Sequence, residues 1–499
     1  MIWTLQLIVL LNIVAVRATV TTTQQQFTAG KQIRPATFGL HDNYDAGLFT
    51  PLEDLAVLST DSYAHMTHPA FPRHGVRMKK SKFCDGTVNS YTGYIDIEAR
   101  HLFFYFFESR SDPDKDDVIF WTNGGPGCSS SMGLFMELGT EFRADPMPLD
   151  VDWDLRVLDE NGPKFHPESW NSNANIFFID QPIGVGFSYA EHGESVSTSK
   201  EAAQDIAAFV AIFFEHFHKF KGRAFHMAGE SYGGQYIPLF AAAVYDQNAR
   251  MVSAGMTPIN LTSVMIGNGV INYTSMVISY YDIACTSASS RPSLDIRQNE
   301  EPNPPICGAA VKTCANEFVV PYEQSGLSPY DITRRCEGTV RENLCYPEVK
   351  HIANYLDRPS VRSQLGVDSS FSGKNFSSCN WNVNQAFKNA LDEHHETQHY
   401  ISALLERGVK VLIYAGTYDW ICNWVGNERW TLDLEWNGQE EFVRQELRVW
   451  VVDGKRAGRV RNAGPFTFVT IEGAGHMVPY DKPVQALEMV KRWLAGEDL

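Results

Sequence analysis

Two apolar runs separated by a charged turn stand out first: Tyr91-Thr-Gly-Tyr-Ile-Asp-Ile and His101-Leu-Phe-Phe-Tyr-Phe-Phe. Aromatic and β-branched residues in such runs predict an antiparallel strand pair. Short, almost wholly apolar stretches then recur at 118–121, 175–179, 224–228, 263–266, 410–414 and 466–471. Apolar on both alternations, they predict strands buried on two faces. Helical spacing intervenes. Ile206, Phe209, Val210, Phe213, Phe214 and Phe217 step round one helix, and Ile237, Leu239, Phe240 and Val244 give faces to another over about 235–245. A terminal helix starting at Pro483 carries Ala486, Met489, Val490 and Trp493. Strands alternating with helices predict an α/β fold, a mostly parallel central sheet with helices on both faces.

The pattern fails in three places. Residues 1–18 hold an apolar run ending in Val16-Arg17-Ala18, the form of a signal peptide. Residues 19–80 are polar and rich in His, Thr and Pro, which predicts a propeptide or flexible N-terminal arm. The basic run from Arg73 to Lys82 reads as an exposed linker or a processing site. That leaves 81–499 as one catalytic domain. Within it, about 280–357 breaks the strand–helix rhythm and carries cysteines, so it reads as a cap insertion.

Composition narrows the setting. A formal net charge of −17 gives no basic footprint for nucleic acid. No segment after the signal is long and apolar enough to span a bilayer. Nine cysteines, none in a CxxC pair, and three N-x-S/T triplets at Asn260, Asn272 and Asn375 fit a secretory-pathway protein, secreted or held in a vacuole-type compartment.

The chemistry sits between these elements. Gly229-Glu230-Ser231-Tyr232-Gly233 falls between a predicted strand and a predicted helix, the context of a nucleophile elbow. Asp419 follows in the turn after the 410–414 strand, and His476 follows the 466–471 strand. Serine, acid and histidine in that order are the sequence mark of the α/β-hydrolase fold. A glycine-rich turn, Asn123-Gly-Gly-Pro-Gly-Cys-Ser-Ser, follows the 118–121 strand. Backbone N–H groups of Gly125 and Tyr232 are then the candidate oxyanion hole, each worth about 3–4 kcal/mol to the barrier.

At this point the chain resembles the serine carboxypeptidases. The matching strings are residues 123–130, Ser-Trp-Asn-Ser-Asn-Ala-Asn at 169–175, Gly-Glu-Ser-Tyr-Gly-Gly at 229–234, Ile-Cys-Asn-Trp at 421–424 and Gly-His-Met-Val-Pro at 475–479. The resemblance runs from about Cys84 to the C-terminus. It implies an enzyme that removes single residues from peptides or proteins with a free C-terminus, through an acyl-enzyme and without a cofactor or metal. By the same likeness Ser231 attacks the carbonyl, His476 is general base and acid, and Asp419 orients His476. Asn123, the Gly124 amide, Glu137 and Glu230 bind the substrate carboxylate. Tyr232, Tyr330, Tyr346, Met477, Ile421 and Cys422 line side-chain pockets, with Cys422 unpaired. The family pattern also implies bridges Cys128–Cys379 and Cys336–Cys345. Cys307 with Cys314, and Cys84 with Cys285, are then paired only by elimination, which does not fix connectivity. Met132 and Met136 stand where the most similar members have Thr and Phe, leaving the leaving-residue preference open.

Residue chemistry bears on this transfer. Two glutamates beside a carboxylate repel at neutral pH, but at acid pH they can share protons and hydrogen-bond instead. One other string competes: His395-Glu396-Thr397-Gln398-His399 matches H-E-x-x-H, which on a helix places both histidines on one face. No third ligand follows at a recognised spacing, so metal binding is not expected. The rival readings are an acyltransferase or esterase on the same scaffold, and a non-catalytic binding protein. Glu137 and Glu230 argue against the first, and the complete Ser231, Asp419 and His476 set argues against the second.

Overall fold

In the computed structural model, which describes residues 46–83, 87–139, 158–159, 162–163, 166–285 and 320–499, the sheet begins earlier than the apolar pattern indicates. Strands β1 (Ala64–Thr67) and β2 (His74–Ser81) precede the expected pair β3 (Ser90–Ile97) and β4 (Arg100–Phe107), and all four pair antiparallel in sequence. From residue 64 onward the expected arm is therefore part of the sheet, and the basic run Arg73–Lys82 is not a linker. Arg77 lies over the Tyr94 ring at 4.7 Å and makes a bidentate pair with Asp96 at 2.8 and 2.9 Å. Lys79 is buried along its stem. Long basic side chains here cover apolar surface and hide the strand's alternation. Residues 1–45, Cys84, Cys307, Cys314 and the side chain of Cys285 lie outside the described residues, with the signal peptide and the two pairings expected there.

The apolar stretches all form strands: β5 (Asp117–Thr122), β6 (Ala174–Ile179), β7 (Phe225–Glu230), β8 (Leu261–Gly267), β9 (Lys410–Gly416) and, after a hairpin of β10 (Arg448–Val452) and β11 (Lys455–Ala463), β12 (Phe466–Ile471). The sheet order is β1-β2-β3-β4-β6-β5-β7-β8-β9-β12-β11-β10, with a two-residue strand, Tyr189–Ala190, beside β4. The six strands from β6 to β12 across the middle are mutually parallel. Chain order reverses at β5, which has β6 on one side and β7 on the other. Crevices at such reversal points, beyond the carboxyl ends of the strands, are where open α/β sheets bind ligands.

Alternation divides the core in two. Phe104 and Phe106 face one layer with Phe209 and Phe213 of helix α1 (Ser199–His216). Phe103, Tyr105 and Phe107 face the other, with Met489 and Trp493 of the terminal helix Pro483–Ala495. Helix α2 (Gly233–Ser253) runs beyond the expected end and through Pro238. Proline cannot donate to the Gly234 carbonyl one turn back. The Thr397 hydroxyl supplies that bond instead, at 2.9 Å.

The described part of the insertion comprises the end of helix α3 (Tyr273–Cys285), the helix Val320–Ser325, a hairpin of Leu327–Ser328 with Asp331–Arg335, and the helices Val340–Asn343 and Val349–Leu356. A disulfide, Cys336–Cys345, closes the segment after that hairpin. Among the described residues, no helix is long and apolar enough to cross a membrane.

Candidate active site

Five parallel strands deliver polar residues to one end of the sheet. Thr122 of β5 leads into Asn123, Glu230 of β7 into Ser231, and Gly267 of β8 into Asn268. The turns after β9 and β12 carry Asp419 and His476. Ser231 sits between β7 and α2 at φ +63°, the left-handed region that a serine seldom adopts. Three backbone bonds hold it there: Ser231 N–H donates to Gly267 C=O at 3.1 Å, and its own carbonyl accepts from Val270 N–H and from Gly234 N–H, both at 2.9 Å. Strain held this firmly at a strand–helix turn marks a functional site.

His476 Nδ1 lies 2.8 Å from Asp419 Oδ2, and both residues are buried. Asp419 is fully bonded. Oδ2 also accepts from Asn268 Nδ2 at 2.7 Å, and Oδ1 accepts from the Ile421 amide at 3.1 Å. Asn268 carries no mark in the sequence beyond following a strand, and sequence reasoning missed it. Its own carbonyl oxygen accepts from Gly416 N–H at 3.1 Å, which ties the ends of β8 and β9 together. The His476 amide donates to Tyr330 C=O at 2.7 Å, and the two rings lie 5.1 Å apart. Asp481 accepts from Gly475 N–H at 2.7 Å and pairs with Arg334 at 3.1 Å. Burial pushes the Asp481 carboxyl up to about 6.

Cys422 is a free, buried thiol within hydrogen-bond reach of the Ser231 side chain. Burial pushes this thiol well above its ordinary value, and the Asp419 carboxylate adds to the shift. Donor atoms of Asp419, Cys422 and His476 lie within 4.8 Å of one another. The set suits a metal poorly, since Asp419 is saturated and a thiol held neutral is a weak ligand. The H-E-x-x-H string does not form the expected helical face. His395 precedes the helix Gln398–Glu406 and bonds back to the Asp392 carbonyl at 3.0 Å, while His399 lies 3.3 Å from Glu396.

Beside Ser231, the turn after β5 is fastened by the Cys128–Cys379 disulfide, by Ser129 N–H to Ser378 C=O at 2.8 Å, and by Asn380 N–H to Gly127 C=O at 2.8 Å. A Cβ on Gly124 would stand 2.7 Å from Glu230 C=O and collide with the Tyr232 amide, so only glycine leaves that amide open. Gly125 follows at φ +112°. The Tyr232 ring packs against Tyr236 at 5.1 Å, and its hydroxyl donates to Asp392 at 3.0 Å. Only the backbone of Tyr232 is thus directed at Ser231's surroundings.

Glu137 projects from a wide helical turn, Gly133–Leu138, and meets Glu230 in a buried pair of carboxyls. Asn123 is oriented unambiguously. Its Oδ1 accepts from Trp121 Nε1 at 2.8 Å and from Gly133 N–H at 2.9 Å, which turns Nδ2 toward Glu137 Oε1 at 3.4 Å. Burial raises both carboxyls, and Glu230 is raised well above its ordinary range because Glu137 lies against it. Oε2 of each glutamate has no hydrogen-bond partner. Tyr346 packs 5.9 Å from Tyr330, and Met477 is buried next to His476. Asn260 and Asn375 are exposed. Asn272 is half-buried, and its side chain accepts from Ser275 N–H at 2.8 Å.

The family model for serine carboxypeptidases matches residues 82–496. The chain belongs to the serine carboxypeptidase family. It is 39% identical to carboxypeptidase Y of Candida albicans over 455 residues, 87% of this chain and 78% of that protein. It is 38% identical to the vacuolar serine-type carboxypeptidase ATG42 of Saccharomyces cerevisiae, covering 83% of this chain and 81% of that one. The solved structure of the Kex1 prohormone-processing carboxypeptidase from Saccharomyces cerevisiae superposes with a TM-score of 0.68 at 23% identity, over 83% of this chain and 92% of that one. That likeness shows the fold, an α/β-hydrolase, as the triad order predicts. This serine carboxypeptidase thus keeps the resemblance read from its five strings over its whole catalytic domain.

Proposed function

We propose that this enzyme releases C-terminal residues from peptides and proteins at acid pH, by acyl transfer to Ser231. Asp419 holds His476 with Nδ1–H toward it, which leaves Nε2 as the base. Ser231 Oγ attacks the last peptide carbonyl and passes its proton to Nε2. The tetrahedral oxyanion is received by the amides of Gly125 and Tyr232, which have no acceptor among the described residues. As the C–N bond breaks, His476 protonates the leaving amine. Water, deprotonated by the same imidazole, then frees the shortened peptide. Tyr330, Tyr346, Cys422 and Met477 shape the side-chain pockets around this step.

The observation that carries the reading is the Glu137–Glu230 pair. Two buried carboxyls with raised proton affinity, each with a free oxygen, make a receptor for a third carboxylate when they hold protons. Asn123 and the Gly124 amide complete it. An ester or amide end has nothing to give such a site. The direct test compares hydrolysis of a blocked dipeptide with that of its C-terminal amide at acid pH. Strong preference for the free acid supports the reading, and equal rates contradict it. An entry to the secretory pathway through residues 1–18, glycans at exposed Asn260 and Asn375, and residence in a vacuole-type compartment complete the proposal. The name of the vacuolar yeast relative supports that destination.

A further inference from the structure

Tyr414 lies in the middle of the sheet, and its hydroxyl serves no bond within the fold. The side chain is fully buried, and the hydroxyl has no hydrogen-bond partner among the described residues. Buried tyrosine hydroxyls ordinarily find one, because an unmet donor costs free energy.

Strand register gives the direction of that hydroxyl. Glu230 of β7 stands opposite Gly267 of β8, and Gly267 stands opposite Tyr414 of β9. The three residues form one line across three strands. They share a face, since Ala228, Met265 and Leu412, two positions earlier on each strand, all join the same core. Adjacent strands are about 4.8 Å apart, so the Glu230 and Tyr414 backbones are about 10 Å apart. Gly267 leaves the space between them open, and the Tyr414 ring fills it. A Cβ at Gly267 would stand 2.5 Å from the Tyr414 hydroxyl. The hydroxyl therefore reaches across the glycine toward Glu230. At the same end of the sheet are the unpartnered Oε2 atoms of Glu230 and Glu137.

We infer that Tyr414 is a positioning residue of the carboxylate-recognition site: its hydroxyl, which makes no hydrogen bond among the described residues, closes on the Glu230 carboxyl when a substrate carboxylate binds and turns the Glu230 proton toward that substrate. This inference rests on the proposed role of Glu137 and Glu230. Electrostatics agrees with the geometry. Burial first, then the Glu230 and Glu137 carboxyls, hold the phenol well above its ordinary value, so it remains a donor throughout the working range. Glu137 faces Glu230 from its helical turn, Asp419 and Cys422 from the turn after β9, and Asp481, Tyr330 and Tyr346 from the loops above. His476 faces the pair from the Glu137 side. Exchanging Tyr414 for phenylalanine changes none of these groups.

The test sets Tyr414→Phe beside Glu230→Gln in the full-length enzyme, with a blocked dipeptide and its amide as substrates. For Tyr414→Phe, KM for the free acid is expected to rise about three- to tenfold, the size of one hydrogen bond to a buried acid, with kcat changing less. KM for the amide should rise distinctly less. The pH at which free-acid KM climbs should move upward, because losing a donor disfavours the Glu230 anion. Equal losses on both substrates, with an unmoved pH profile, would make the hydroxyl merely structural and overturn the inference. If Glu230→Gln separates the two substrates and Tyr414→Phe does not, this inference fails while the carboxylate reading stands. If neither variant separates them, both fail.

Discussion

Two carboxyl-bearing pairs act on each other in the interior of this protein, both buried and opposite in design. In Asp419–His476, unlike groups meet and every carboxylate oxygen is bonded: Oδ2 by His476 and Asn268, Oδ1 by the Ile421 amide. In Glu137–Glu230, like groups meet and each keeps an oxygen without a partner. A buried polar group left unsatisfied costs roughly 1–3 kcal/mol. The first pair is finished before substrate arrives, as orientation of a catalytic base requires. The second is left incomplete, and a substrate carboxylate completes it. Burial alone does not make a site. What each carboxyl still lacks does.

The sharpest way to break this contrast is at the nucleophile served by the finished pair. Ser231→Ala is expected to lower kcat/KM by about four to six orders of magnitude with the fold intact. A fluorophosphonate probe that still labels the variant fully would remove Ser231 from that role. Next comes the completeness of the Asp419 pair. Asn268→Ala removes one of its two hydrogen bonds to Oδ2, and a hydrogen bond to a charged group is worth about 1.5–3 kcal/mol. Loss of kcat by about ten- to a hundredfold should follow, with KM moving little. A matching loss on KM alone would show that Asn268 shapes binding and not the base.

Much of the catalytic arrangement is legible in the sequence because it is local. An elbow, a glycine-rich turn and two loop strings each follow an apolar strand, so Ser231, Asp419 and His476 can be placed by register alone. Asn268 escaped because a lone asparagine after a strand reads as a turn residue. Its role comes from the neighbouring strand, 151 residues away in sequence. Strand β2 escaped for a different reason. Arg77 and Lys79 look solvated, but Arg77 meets the Asp96 carboxylate and the Tyr94 ring on the adjacent strand, and Lys79 is buried beside the Tyr63 ring. The H-E-x-x-H string misled in the opposite sense. Its helical reading fails because the backbone at His395 is extended, at φ −72° and ψ 130°, between a short turn at Asp392–His394 and the helix that starts at Gln398.

A third buried carboxyl serves as a control for the contrast. Burial raises Asp180 from its ordinary 3.8 to about 7, yet it is fully bonded, to Ser129 and to the Phe187 amide. The native state therefore holds a proton that the unfolded chain has lost, and this contribution to stability falls as pH rises from about 4 to about 7. Buried His68 and His166, both lowered to about 4, act in the other direction, so total stability is a poor readout. The difference between Asp180→Asn and the native enzyme isolates the effect. Across that window the variant's melting temperature should gain on the native value. A difference independent of pH would contradict the raised proton affinity. The smallest effect is expected at Cys422. Cys422→Ser should keep most activity and abolish inhibition by a bulky mercurial, because the thiol lies against Ser231 but takes no part in the chemistry. Mercurial inhibition that persists in the variant would place the sensitive group elsewhere.

The division of labour between the two pairs is tested most directly by one ratio: kcat/KM for a blocked dipeptide over that for its amide, followed from acid to neutral pH. Both substrates depend equally on Asp419 and His476, so the triad cancels from the ratio. Only the free acid uses the protons held by Glu137 and Glu230. The ratio should be large at acid pH and fall as the raised carboxyls ionise, and in Glu230→Gln it should be smaller and flatter. A ratio that stays constant with pH, and is unaltered in the variant, would mean that the unsatisfied glutamate pair does not recognise the substrate carboxylate.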